Sequence, residues 1–170
     1  MLEDLVITDE EIDFMKRRCP YIPSWFYSFL KGYRYDSRCV KIDQDKSGRL
    51  HIEFEGSWSN TIFLEVKVLA IVSELYYMMT GEADSLDYDH YYTVSRRKAE
   101  RLVDAGCEFS DFGTRRRASF AAQDTAVRAM SRYQAENPGP GRFAGTSNVY
   151  LAMKYDLTPI GTMAHELICA

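Results

Sequence analysis

Three Gly-Thr pairs punctuate the second half of the 170-residue sequence, and each is followed by side chains that can bind or react. They stand in DFGTRRR (111–117), AGTSN (144–148) and IGTMAHE (160–166). Glycine lets a ligand approach the backbone, and free N–H groups ahead of a helix favour anions. Arg115, Arg116 and Arg117 add guanidinium groups, which grip phosphate in a fork at roughly 1.5–3 kcal/mol per charged hydrogen bond. Successive residues point in different directions in either a strand or a helix, so the three arginines cannot all reach one ligand. Arg115 is expected at the site, with Arg116 or Arg117 supporting it or pairing with a carboxylate. Arginines at a helix start would oppose the helix dipole, which also argues for an anion nearby. The chemistry implied is recognition of a phosphorylated ligand.

The elements that would position these residues follow from pattern. From residue 91 onward, helical and strand signals alternate. A charged amphipathic helix over 95–105 stops at Gly106; then come a strand at Glu108–Asp111 and a helix from about Arg117 to Tyr133. A strand at Phe143–Gly145, a helix at Ser147–Tyr155 and a strand at Pro159–Met163 complete the run. Such alternation means parallel strands with crossovers, in a barrel or a doubly wound sheet, and both architectures bind ligands at the strands' C-terminal edge. The three Gly-Thr pairs all fall at that edge.

Residues 1–90 read differently, as a flanking α+β region. Thr8 and Glu11 form a capping box for a helix running to Cys19. An aromatic-rich segment, PYIPSWFYSFLKGYRY, predicts a helix ended by a left-handed Gly32, its rings serving core packing or a subunit contact. Val40 and Ile42, then Leu50, Ile52 and Phe54, alternate about Lys46-Ser47-Gly48 as a hairpin, with His51 on its wet face. Phe63–Met79 is apolar enough for a helix buried on most sides, with Glu65 and Glu74 each requiring a partner. The acidic stretch Glu82–His90 reads as a connection dividing the two regions, with His90 solvated.

Bulk properties exclude several classes. A net charge of −4 argues against a nucleic-acid binder. No apolar run approaches the roughly 20 residues that span a bilayer, and the acidic first residues lack the order of a signal peptide. Cys19, Cys39, Cys107 and Cys169 are scattered, consistent with reduced thiols in the cytoplasm.

In combination, DFGTRRR, GTSN, LTPIGTMAHE and the helix LEVKVLAIVSELY resemble nicotinate phosphoribosyltransferase over nearly the whole chain. The resemblance implies an incomplete α/β barrel of the type II phosphoribosyltransferase kind with a flanking α/β domain. It implies union of nicotinate with phosphoribosyl pyrophosphate for NAD salvage, with Mg²⁺ on the pyrophosphate, ATP as co-substrate and sites at a homodimer interface. Residue by residue, Phe112 resembles the aromatic that stacks on the pyridine ring, and Arg115 the arginine beside the ring and phosphates. Thr162 matches a nicotinate-binding position and His165 a phosphorylated histidine. Gly145, Thr146 and Ser147 match the loop that meets the substrate. Relatives that use nicotinamide carry aspartate where Ser147 stands.

The family's leading segment, which supplies a ring-contacting tyrosine, has no counterpart before Leu5, and the chain stops soon after His165. It therefore reads as an internal piece of the enzyme, expected to be inactive alone. The alternatives are a nicotinamide-using relative of the same fold and a non-catalytic remnant that binds a full-length subunit or a phosphorylated ligand.

Overall fold

A computed structural model describes residues 4–162. The capping box forms as expected: Glu11 accepts from the Thr8 backbone at 2.8 Å, and the Thr8 hydroxyl accepts from the Glu11 N–H at 3.2 Å. It opens α1, Asp9–Arg18, whose acidic first turn and basic last turn both suit the dipole. Helix α2, Ser24–Gly32, ends without a left-handed glycine; Gly32 is its last helical residue and extended Tyr33 follows. The aromatic segment divides. Tyr27 is buried and Phe29, Tyr33, Tyr35 and Phe63 pack ring against ring, while Tyr21 and Trp25 face solvent.

Strands β1, Val40–Gln44, and β2, Leu50–Phe54, pair antiparallel in the expected register. His51 is exposed, 3.2 Å from Asp45. A single turn, α3 at Trp58–Thr61, leads into α4, Leu64–Met79. Here the structure departs from expectation. Helix α4 buries only Leu64, Val68 and Ala70, whereas Val66, Leu75, Tyr76, Met78 and Met79 are exposed. An apolar composition records a tendency to be covered, and among the described residues α4 is fully buried only at positions in its N-terminal half.

Helix α5, Tyr88–Asp104, begins seven residues earlier than the pattern predicts, because Asp87 caps it by accepting from the N–H groups of Asp89 and His90. The acidic stretch is thus a 3₁₀ turn at Glu82–Ser85, a cap and a first helical turn, and α5 runs through residue 90. Beyond it lie β3, Glu108–Asp111; α6, Phe120–Glu136; β4, Arg142–Thr146; α7, Val149–Lys154; and β5, Thr158–Pro159. The strands are parallel in the order β3-β4-β5. Sequential neighbours with helical crossovers are the progression of a barrel and also of one half of a doubly wound sheet. The last strand is shorter than predicted and ends before Ile160.

Two apolar clusters sit between the helices and this sheet. Val127, Phe143 and Leu151 form one, and Ala99, Val103 and Tyr133 the other, with Phe109 and Met130 touching both. Gly145 has a steric reason: at φ 145° it passes β5 so closely that a Cβ would lie 2.0 Å from the Thr158 carbonyl oxygen. No side chain fits there.

Candidate active site

The C-terminal ends of β3 and β4 are tied by one polar network. Asp111 accepts from Gln123 Nε2 at 2.8 Å, from the Thr146 hydroxyl at 2.7 Å and from the Gly113 N–H at 3.0 Å. Thr114 in turn accepts from Gln123 Nε2 at 3.1 Å and from Asn148 Nδ2 at 3.2 Å. Gln123 and Thr146 are buried, so each bond replaces water that neither group can reach. The network fixes the two loops that follow these strands.

The arginines lie in a 3₁₀ turn, Thr114–Arg116, and in extended Arg117, not at a helix start. Ser119 caps α6, and Phe120 is its first residue. The dipole argument for an anion therefore falls. Carboxylates of α4 meet two of the three guanidinium groups: Arg115 pairs with Glu65, and Arg117 with Glu74 at 3.1 Å. Arg117 also donates to Gln123 and lies 5.1 Å from the Phe120 ring centroid, while its carbonyl accepts from Ser73 at 2.8 Å. It clamps the loop to α4 and does not reach the cleft. The Arg116 guanidinium bonds to no described residue.

Between these loops and the N-terminal elements lies a cleft of about 600 Å³. Phe112, Thr114, Arg115, Arg116, Ser147 and Asn148 line it on the strand side. Phe63, Val66 and Lys67 from the start of α4, Glu11 and Met15 from α1, and Tyr33 and Tyr35 line the rest. Phe112 is 41% exposed, an aromatic face open to the cleft. Tyr35 has its pKa pushed up to about 12 by burial and by neighbouring Tyr33, so its hydroxyl keeps its proton at neutral pH. The lining offers aromatic faces, hydroxyl groups and cations together, which suits a flat, anionic, ring-bearing ligand.

Two family models match the sequence. The nicotinate phosphoribosyltransferase N-terminal domain covers residues 1–73, and the nicotinate phosphoribosyltransferase family covers residues 107–170. The chain belongs to the nicotinate phosphoribosyltransferase family. It is 38% identical over 166 residues to nicotinate phosphoribosyltransferase of Chromohalobacter salexigens, matching 97% of this chain and 40% of that protein. The protein of the same name in Ectopseudomonas mendocina is 39% identical over 178 residues, 99% of this chain and 42% of its own length. A solved structure of nicotinate phosphoribosyltransferase from Porphyromonas gingivalis superposes with a TM-score of 0.87 at 33% identity, over 98% of this chain and 41% of that one. The chain thus spans about two fifths of the length of the relatives it matches.

Against the family's motifs, the structure gathers Phe112, Arg115, Arg116 and Ser147 at one cleft. Gly145 and Thr146 stand behind it: Thr146 is fully buried, its hydroxyl donating to Asp111 and accepting from the Asn148 N–H at 3.1 Å. Thr162 is exposed and does not line the cleft, and His165 lies outside the described residues. Ser147, expected to meet the substrate, lines the cleft and does not cap the following helix. The cap is Asn148, which accepts from the Leu151 N–H at 3.1 Å, and the Ser147 hydroxyl bonds to no described residue. Sequence reasoning missed Lys67, Tyr35 and the role of Asp111. The first two come from the other half of the chain. Asp111, which stands first in DFGT, carried a signal that could have been used, since a carboxylate at a strand end beside a buried threonine needs donors.

Proposed function

We propose that this chain forms the nicotinate-binding part of a nicotinate phosphoribosyltransferase, which makes nicotinate mononucleotide and pyrophosphate from nicotinate and phosphoribosyl pyrophosphate for NAD salvage. The observation that carries the proposal is the convergence of Phe112, Arg115 and the unengaged Ser147 hydroxyl on one cleft. Phe112 stacks on the pyridine ring, and Ser147 donates to the carboxylate without adding charge. The neutral serine favours the acid over the amide, against a nicotinamide-using enzyme. Arg115, held by Glu65, presents its remaining N–H groups to the sugar phosphate.

The ring nitrogen already holds a lone pair, so no general base is required. It attacks the anomeric carbon as the bond to pyrophosphate breaks, and pyrophosphate leaves with the electron pair. The site's work is to align the ring and balance the charge that develops. Among the described residues no three carboxylate, histidine or cysteine side chains converge on a metal site. Magnesium arrives with the substrate, on the pyrophosphate. His165 takes the γ-phosphoryl group of ATP as ADP leaves, and water then cleaves the N–P bond to release phosphate, coupling ATP hydrolysis to the transfer. The complete enzyme works as a cytoplasmic homodimer.

The test is product formation from nicotinate, phosphoribosyl pyrophosphate and ATP by the longest polypeptide that its gene encodes, beside the 170-residue chain. Nicotinate mononucleotide from the longer protein, lost on Phe112→Ala and Arg115→Ala, is the expected result. Turnover of nicotinamide in preference to nicotinate would overturn it.

A further inference from the structure

Lys67 is the cation of the cleft that the loops do not supply. It projects from α4, two residues after Glu65, into the same space as Phe112, Arg115 and Ser147. Its ammonium makes no hydrogen bond or ion pair with any described residue. The carboxylates beside the cleft are committed elsewhere: Glu65 to Arg115, and Glu11 to the N–H and hydroxyl of Thr8. Lys67 is solvent-exposed at the wall of the cleft. Burial, and then the positive charge of Arg117, hold its pKa below the usual lysine value, and Glu11 offsets only part of this. No described residue bonds this ammonium, and an oxyanion in the cleft would give it a charged partner.

We propose that Lys67 is a ligand-binding residue whose ammonium pairs with an oxyanion of the substrate in this cleft. The proposal rests on the functional reading above and adds a residue from the N-terminal half to the site. The oxyanion is either the carboxylate of the aromatic acid or a phosphate of the sugar donor. Both offer the same chemistry to a lysine, and the experiment separates them.

The 170-residue chain is titrated with nicotinate, with nicotinamide and with inorganic pyrophosphate, following intrinsic fluorescence and heat. Lys67→Met keeps the stem that covers the cleft wall and removes the charge. It should weaken one anion, nicotinate or pyrophosphate, by about tenfold, the worth of one charged hydrogen bond, and leave nicotinamide unchanged. Lys67→Arg should retain most of the affinity. A chemical-denaturation curve for each variant checks that the fold is intact. Unchanged affinity for both anions in Lys67→Met, with Phe112→Ala still weakening nicotinate, overturns the role of Lys67 and leaves the cleft standing. If neither substitution weakens either anion, or if the unsubstituted chain binds neither, Lys67 and the cleft both fail.

Discussion

At the scale of single residues, the site depends on which polar groups are already satisfied. Ser147 is free because Asn148 performs the capping, so a change at Ser147 is read by the ligand and not by α7. An aspartate there would face the carboxylate of nicotinate. At about 4 Å and an effective dielectric near 20, two like charges repel by roughly 4 kcal/mol, and half of that exceeds a tenfold change in affinity. Ser147→Asp should therefore weaken nicotinate by at least about tenfold and leave nicotinamide no worse, with an unchanged melting temperature. Isothermal titration with both ligands checks it. Asp111 is the opposite case, being wholly committed. Asp111→Ala strands one of the two Gln123 Nε2 hydrogens and the Thr146 hydroxyl hydrogen in the interior. The expected loss is roughly 2–4 kcal/mol of stability, read as a lower denaturation midpoint, and Asp111→Asn should recover part of it.

At the scale of elements, the β1–β2 hairpin carries its own pH sensor. Asp45 accepts from the Ser47 hydroxyl, the His51 ring, the Arg49 N–H and the Ser47 N–H. These donors, the Ser47 hydroxyl foremost, hold its pKa at about 2 against a usual 3.8. A depressed folded-state pKa gives stability that is present above the usual value and lost as pH falls through the folded one. The turn should thus loosen between about pH 4 and pH 2, and Asp45→Asn should abolish that transition; amide chemical shifts of residues 45–51 followed through the titration would show both. The hairpin was legible in the sequence because alternation and a Ser-Gly turn are local signals. So were the capping box and the strand–helix alternation that gave the parallel sheet. Hidden features depended on partners distant in sequence. Nothing near Arg117 announces Glu74, 43 residues earlier, and nothing near Lys67 announces a cleft shared with Ser147. The start of α7 was also hidden, since Ser147 and Asn148 are both good caps and only backbone geometry decides between them.

At the scale of the whole molecule, α4 joins the two halves through one side. Glu65, Ser73 and Glu74 hold the arginine loop, and that docking creates the cleft. The other side of the helix is apolar and open at its C-terminal end, where Tyr76, Met78 and Met79 are 59%, 65% and 85% exposed. Leu75 shares a helix face with Met78 and Met79, three and four residues on, so these residues form a patch rather than scattered contacts. Each gains roughly 1.5–3 kcal/mol if fully covered, and a contiguous apolar patch of this kind marks an association surface. In the sheet, β3 has a strand partner on one side only among the described residues, which adds open backbone groups. The 170-residue chain should therefore associate as its concentration rises. The double substitution Leu75→Glu with Met79→Lys tests the patch without harming the helix, because glutamate four residues before lysine is a favourable helical pair. It should raise the apparent dissociation constant by about tenfold or more while the circular dichroism spectrum stays the same. Light scattering across a concentration series reads the result. Equal association by both proteins would move the sticky surface from α4 to the sheet edge.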